Sequence, residues 1–125
     1  MIFACAICHA PITSPVEELR DQSVLSEEDG QPHLPTGFYY IAQSDDGLWR
    51  PAGDYILNIS DLKDTKRHHD KSRLNGCCGL DGCDGFNTLC PNEHEIGTER
   101  SDCWMAHFVV LAAAHVTPLQ STGNA

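Results

Sequence analysis

Residues 75–103 read NGCCGLDGCDGFNTLCPNEHEIGTERSDC, and they hold five of the seven cysteines and five of the ten glycines of the chain. Glycine at this density opposes a helix, since each one costs about 1 kcal/mol relative to alanine in a helix interior. Asp81-Gly82 and Asp84-Gly85 instead supply residues that adopt positive φ and turn the chain sharply at little steric cost. The stretch therefore reads as a tightly turned loop shaped by something that gathers sulfur, followed by a strand at Glu95 to Arg100.

Zinc is the ion that this pattern suits. It takes four thiolate or imidazole ligands at tetrahedral positions, supplied by short-spaced pairs from separate chain segments. Cys5 and Cys8, two residues apart in a C-x2-C arrangement, form one pair, and Cys90-Pro-Asn-Glu-His94 offers the other. The expected site is Cys5, Cys8, Cys90 and His94, with Glu93 as the alternative for the last place. Cys77, Cys78, Cys83 and Cys103 remain, with His107 four positions beyond Cys103. Adjacent cysteines rarely both hold one tetrahedral ion, so Cys77 and Cys78 are expected to divide ligation and packing. Cys78 and Cys103 are the expected ligands of a second ion, and the roles of Cys77 and Cys83 stay open. The competing reading is that these four are small buried apolar residues. Asp81, Asp84 and Asn87 lack the spacing of an EF-hand loop, which sets calcium aside.

The composition agrees with a small metal-stabilised domain. A chain of 125 residues is expected to form one domain, 1–125, with the tail 117–125 frayed. The apolar share of 41% and aromatic share of 7% make a modest core. The formal charge of −10 disfavours nucleic acid and anionic lipid and suits a basic protein partner. Five of the eight basic residues, Lys63, Lys66, Arg67, Lys71 and Arg73, lie close together. With no interleaved aromatic residue for base stacking and no glycine-rich phosphate cradle, they read as a solvated connector. Of the neighbouring His68 and His69, at most one is expected to join a given site. The start, MIFACAIC, has no positive region and is too short for the apolar part of a signal peptide, so a cytoplasmic location is expected. There thiols stay reduced, and clustered cysteines favour metal or redox chemistry over disulfides.

Outside the cysteine-rich stretch, the pattern is mainly β with one or two short helices. Ser14-Pro15-Val16-Glu17 carries helix-start signals and predicts a helix from about Pro15 to Arg20. The polar, acidic segment 21–35 reads as a surface loop. Gly37 to Gln43 and Asp54 to Ile59 read as strands, with a turn at Ser44 to Gly47 and a resumed strand at Leu48-Trp49-Arg50. Ser60 is placed to cap a short helical turn. Between Cys103 and Val116, Ser101-Asp102 could cap a helix, but Phe108-Val109-Val110-Leu111 favours a strand in a hairpin with Glu95 to Arg100.

The N-terminal C-x2-C followed by Pro11, with GCCGLDGCDGFN at 76–87, the Cys90 knuckle, Thr98-Glu99-Arg100 and Asp102-Cys103, resembles small uncharacterised bacterial cysteine-rich proteins of zinc-ribbon-like spacing. The resemblance covers Cys5 to Pro11 and Gly76 to Trp104. It implies a metal-binding, zinc-ribbon-like domain and carries no established activity. In that family a second cysteine generally follows the one matching Cys90 by two or three positions. Here those positions hold Asn92 and Glu93, and His94 stands next in line.

Together these features point to a structural-zinc-binding, acidic protein-interaction module of the inhibitor or immunity type, with one zinc and room for a second. A small zinc- or cysteine-dependent enzyme is the alternative. It is the weaker one, because catalytic zinc favours histidine and an open position, and neither H-E-x-x-H nor a deaminase H-x-E with P-C-x-x-C occurs. A nucleophilic cysteine assisted by His94, His107 or His115, and a redox switch at Cys77 and Cys78, are the forms such chemistry would take.

Overall fold

In the computed structural model, residues 1–43 and 51–119 are described. Among the described residues nine strands form: β1 (Ile2–Cys5), β2 (Glu17–Glu18), β3 (Phe38–Ile41), β4 (Tyr55–Leu57), β5 (Lys66–Arg67), β6 (Thr88–Leu89), β7 (Glu95–Arg100), β8 (Phe108–Leu111) and β9 (Val116–Leu119). The expected mainly-β class is observed. Seven strands make one sheet in the order β2-β3-β4-β8-β7-β6-β5, and β1 pairs with β9 as a separate ribbon. Among the described strands, only the β2–β3 pair is parallel. The expected turn at Ser44 to Gly47 and strand at Leu48 to Arg50 lie outside the described residues.

The central strand explains its own composition. All four residues of β8 are buried. Val109 and Leu111 join one apolar cluster with Leu57 and Tyr39, while Phe108 and Val110 join another with Ile56 and Tyr40. Successive residues of a strand face opposite sides, so these three strands are covered on both faces, and β8 reads as a continuous apolar run. The first cluster is closed by Phe3, Ile12, Val16 and Val116, and contains Cys5 and Cys90. The second is closed by Leu19 and Leu34.

Three local expectations are corrected. Pro15 to Arg20 does not form a helix, because the edge of the sheet offers its amides better partners. Val16 N–H donates to Met1 O, Glu17 N–H to Gly37 O and Leu19 N–H to Tyr39 O, at 2.7–2.9 Å. Val16 and Leu19 are thereby buried in different clusters, and tertiary pairing overrides the capping signal. The short helices are single 3-10 turns at Gln22–Val24, Ile59–Asp61 and Lys71–Arg73. The second of these is capped by Asn58 rather than Ser60, whose own amide donates to Asn58 Oδ1 at 2.8 Å. Thr117 to Leu119, expected to fray, pair with Ala4, Phe3 and Ile2.

The basic segment is more than a solvated connector. β5 forms one edge of the large sheet. Lys66 pairs with Glu93, Arg67 with Glu99 and Arg73 with Glu95 at 3.3–3.7 Å. His68 is buried and donates from Nε2 to Glu95 at 2.9 Å, while its Nδ1 accepts the Asp70 amide. His69 stays exposed, with its ring 4.7 Å from that of His68, so one histidine of the pair is buried and the other is not.

Candidate metal centres

The two C-terminal and two N-terminal donors of the expected site meet. β1 ends at Cys5, and the chain turns so that His9 N–H donates to Cys5 O and Cys5 N–H to Ala10 O. β6 ends just before Cys90, where Glu93 N–H donates to Cys90 O and Cys90 N–H to His94 O. Each turn passes through one positive-φ residue, His9 at 63° and Glu93 at 69°. In both, an amide two positions on donates to the leading sulfur, Ile7 to Cys5 Sγ at 3.4 Å and Asn92 to Cys90 Sγ at 3.3 Å. Donors of this kind stabilise thiolate ligands and fix their direction.

One donor atom from each of Cys5, Cys8, Cys90 and His94 lies within 4.8 Å of the other three. Cys8 Sγ is 3.7 Å from Cys90 Sγ, and His94 Nδ1 is 3.6 Å from Cys5 Sγ and 3.4 Å from Cys90 Sγ. With metal–sulfur bonds of ~2.3 Å, tetrahedral ligands sit roughly 3.5–4 Å apart, so these donors already have the spacing an ion would impose. Glu93 is not the fourth donor, because its carboxylate turns to Lys66. The site is closed on its inner side, with Cys5 and Cys90 buried in the core.

The four donors differ in electrostatics. The Asn92 side chain donates to Cys8 Sγ at 3.2 Å, and this bond, with a backbone one at Ala10, lowers the Cys8 thiol to about 6. Burial pushes the Cys90 thiol up. The site thus pairs a surface thiolate with a buried thiol that a metal ion would ionise.

A second cluster brings Cys77, Cys78 and Cys103 within 4.8 Å of one another, all three exposed. The expectation that Cys77 and Cys78 divide ligation and packing is corrected: both sulfurs face the same point as Cys103. Their organiser is Asp102, whose Oδ2 accepts the Cys77 amide and whose Oδ1 accepts the Cys78 and Cys103 amides, at 2.8–2.9 Å. Trp104 Nε1–H donates to Oδ2 as well. The amides of Cys78 and then Cys77 hold this carboxyl well below the usual carboxylate range. The Cys103 thiol is pushed up to about 12, chiefly by Cys78 and then by burial, with Asp102 adding to the effect.

Other sequence candidates lie elsewhere. Cys83 is not in the cluster; its Sγ faces Asp81 O at 3.7 Å. His107 is not a ligand either, donating from Nε2 to Asp102 O at 2.9 Å. His115 Nδ1 donates to Glu95 O at 2.9 Å. Asn87 is buried and bonds the backbone of Glu99 in both directions, so it serves the sheet and not a calcium site. Two contributors went unread in the sequence, Asn92 and Asp102. Each stands beside a knuckle residue or a cysteine, but no spacing rule singles out an amide or carboxylate that acts on sulfur from outside the ligand set.

All seven cysteines are free thiols. Among the described residues, no helix is long and apolar enough to cross a membrane. No family model matches the chain, and no curated protein or solved structure does so. The functional reading therefore stands on the two clusters and the charge distribution.

Proposed function

We propose that the protein is a structural-zinc module in which one zinc ion, held by Cys5, Cys8, Cys90 and His94, fastens the first strand to the sheet. The observation that carries this reading is the convergence of those four donors within 4.8 Å from two distant segments, Cys8 and Cys90 being 82 positions apart. Three thiolates and one imidazole form the closed donor set of structural zinc, with no place left for a reacting water. Metal analysis of protein purified without chelator tests it. At least one zinc per chain is expected, falling by one in Cys90→Ser; a cooperatively folded protein without metal overturns it.

The zinc-fastened domain is read as an acidic interaction module for a basic protein, in the manner of an inhibitor or immunity protein, acting in the cytoplasm. Charge segregation supports this. At one edge of the sheet, Lys66, Arg67 and Arg73 are matched by Glu93, Glu99 and Glu95. The opposite edge is β2, whose Glu17 and Glu18 are exposed, and the loop after it exposes Asp21, Glu27, Glu28 and Asp29. Binding to such a face should weaken steeply with salt. Affinity capture from the native host is expected to return one dominant basic protein, lost when Glu27, Glu28 and Asp29 are changed to Lys while zinc content is unchanged. A small zinc- or cysteine-dependent enzyme is the competing class. A cysteine that reacts rapidly with a thiol label in the zinc-loaded protein, coupled to turnover, would favour it.

A further inference from the structure

The zinc site leaves Cys77, Cys78 and Cys103 without an assigned task. Three thiols packed as small apolar groups would be buried, as free cysteine usually is. These three are exposed, yet gathered, with 3.9 Å between the Cys77 and Cys78 sulfurs. Metal–thiolate bonds of ~2.3 Å place the sulfurs of a trigonal site roughly 4 Å apart, so the cluster has the dimensions of a bound ion's ligand shell.

The backbone holds the cluster in that form. Asp102 ties the amides of both loop cysteines to the segment that carries Cys103. A Cβ on Gly79 would lie 2.2 Å from Ser101 O, and one on Gly76 would lie 1.7 Å from Gly79 O. The loop therefore folds on itself and onto residues 101–103 at distances that only glycine allows. Leu80 O also accepts the Ser101 amide at 2.7 Å.

The neighbouring polar groups are already engaged. Both Asp102 oxygens accept N–H bonds, the His107 Nε2–H is directed at Asp102 O, and Cys83 faces Asp81 O. Among the described residues, the cluster is thus three sulfurs with no nitrogen or oxygen ligand. We propose that Cys77, Cys78 and Cys103 form a surface site for monovalent copper in three-coordinate, all-sulfur ligation, separate from the zinc between the knuckles. Thiolate ligands suit Cu(I) as they suit zinc and iron–sulfur clusters, so coordination number decides between them. Zinc on these three sulfurs would complete its tetrahedron with a water, whereas a trigonal ion is complete with the three alone. Binding replaces S–H with S–Cu bonds and releases the thiol protons to water, with no change in the oxidation state of copper. Exposure leaves the ion open to exchange with an incoming thiolate, as an ion that is taken up and handed on requires.

The test is an anaerobic titration of the full-length, reduced, zinc-loaded protein with Cu(I) supplied as its bicinchoninate complex. One equivalent of copper is expected to leave the chelator, with sulfur-to-copper charge-transfer absorption and no zinc release. The double variant C77S/C103S should bind copper at least about 100-fold more weakly, while C83S binds as the parent does. Uptake that survives in C77S/C103S overturns the proposal. So does release of one zinc per copper bound, or a second zinc that protects these three thiols from alkylation. The copper site does not depend on the zinc reading. If the purified protein carries no zinc, the same titration in C5S/C90S and C77S/C103S still assigns the copper to one cluster or the other.

Discussion

Cys8 Sγ lies 3.7 Å from Cys90 Sγ although 82 positions separate the two residues in the chain. The contact joins the turn after β1 to the turn before β7, and with it the β1–β9 ribbon to the large sheet. Both flanking cysteines, Cys5 and Cys90, belong to the apolar cluster that covers one face of β8. A metal ion at this point would therefore act on the packing of the whole domain and not on a peripheral loop.

The place of His94 is open to a direct substitution. Its Nδ1 lies 3.6 Å from Cys5 Sγ and 3.4 Å from Cys90 Sγ, in the place of a fourth ligand, so His94→Cys should keep zinc at parental stoichiometry, whereas His94→Ala should lose most of it. Structural zinc contributes roughly 10–16 kcal/mol in small zinc peptides, so even partial loss is a matter of several kcal/mol. At about 4 °C per kcal/mol for a chain of this size, the melting temperature of His94→Ala should fall by 10 °C or more. Equal melting temperatures for parent and His94→Ala would exclude His94 as a ligand.

Asn92 acts on the site without ligating. In the parent, its bond keeps Cys8 ionised until the pH falls through about 6. The stabilisation from that depressed thiol is present above the ordinary cysteine range near 8.5 and is lost as the pH falls through the folded value. Asn92→Ala should weaken zinc binding about 10–100-fold and move the pH midpoint of zinc loss upwards. A chelator dye read across a pH series measures both. Superimposable curves would show that the amide has no part in tuning Cys8.

Asp102 gives the second cluster its own acid sensitivity. Its folded-state pKa is depressed by the amides of Cys78 and Cys77. Stabilisation of the 76–80 loop is therefore complete above the ordinary aspartate value of about 4 and declines as the pH falls through the depressed value. Asp102→Asn should speed hydrogen exchange at the Cys77 and Cys78 amides at neutral pH and remove the acid-dependent part of their protection. Unchanged exchange at both amides would show that the carboxylate does not hold the loop.

The C-terminal strand should matter to the zinc site, because β9 pairs along the whole of β1, from Ile2 to Cys5. Val116 is buried in the same cluster as Cys5, and its loss alone costs about 1.5–3 kcal/mol. Ending the chain after His115 is predicted to lower stability by at least that amount and to raise the rate of zinc transfer to a chelator several-fold. A truncated protein that melts and releases zinc like the parent would show that β1 is held by the knuckle alone.

Local patterning made some elements legible and hid others. Glu95 to Arg100 and Phe108 to Leu111 were readable as a hairpin because their residues alternate or run apolar over strand lengths, and they pair as expected. Val16 to Leu19 misled, since capping chemistry is local whereas its backbone partners, Met1, Gly37 and Tyr39, arrive from elsewhere in the chain. Val116 to Leu119 had no strand signal beyond Val116 and Thr117, and Pro118 argued against one. Proline is tolerated there because β9 is the outer strand of the ribbon, with β1 as its one strand partner among the described residues, whereas the other side of β1 bonds residues 10–13.

The sequence by itself determined which residues could become metal donors and which pairs of them would travel together. The spacings Cys5-x2-Cys8 and Cys90-x3-His94 are covalent facts, and a turn of four or five residues has few ways to point its side chains. Only the tertiary structure decided which donors share a point. It excluded Glu93 by pairing it with Lys66, added Cys77 to Cys78 and Cys103, and left Cys83 outside. It also recruited Asn92 and Asp102, which touch sulfur or its backbone across space. Convergence depends on where sheet register and core packing bring distant segments to rest, and no local spacing carries that information.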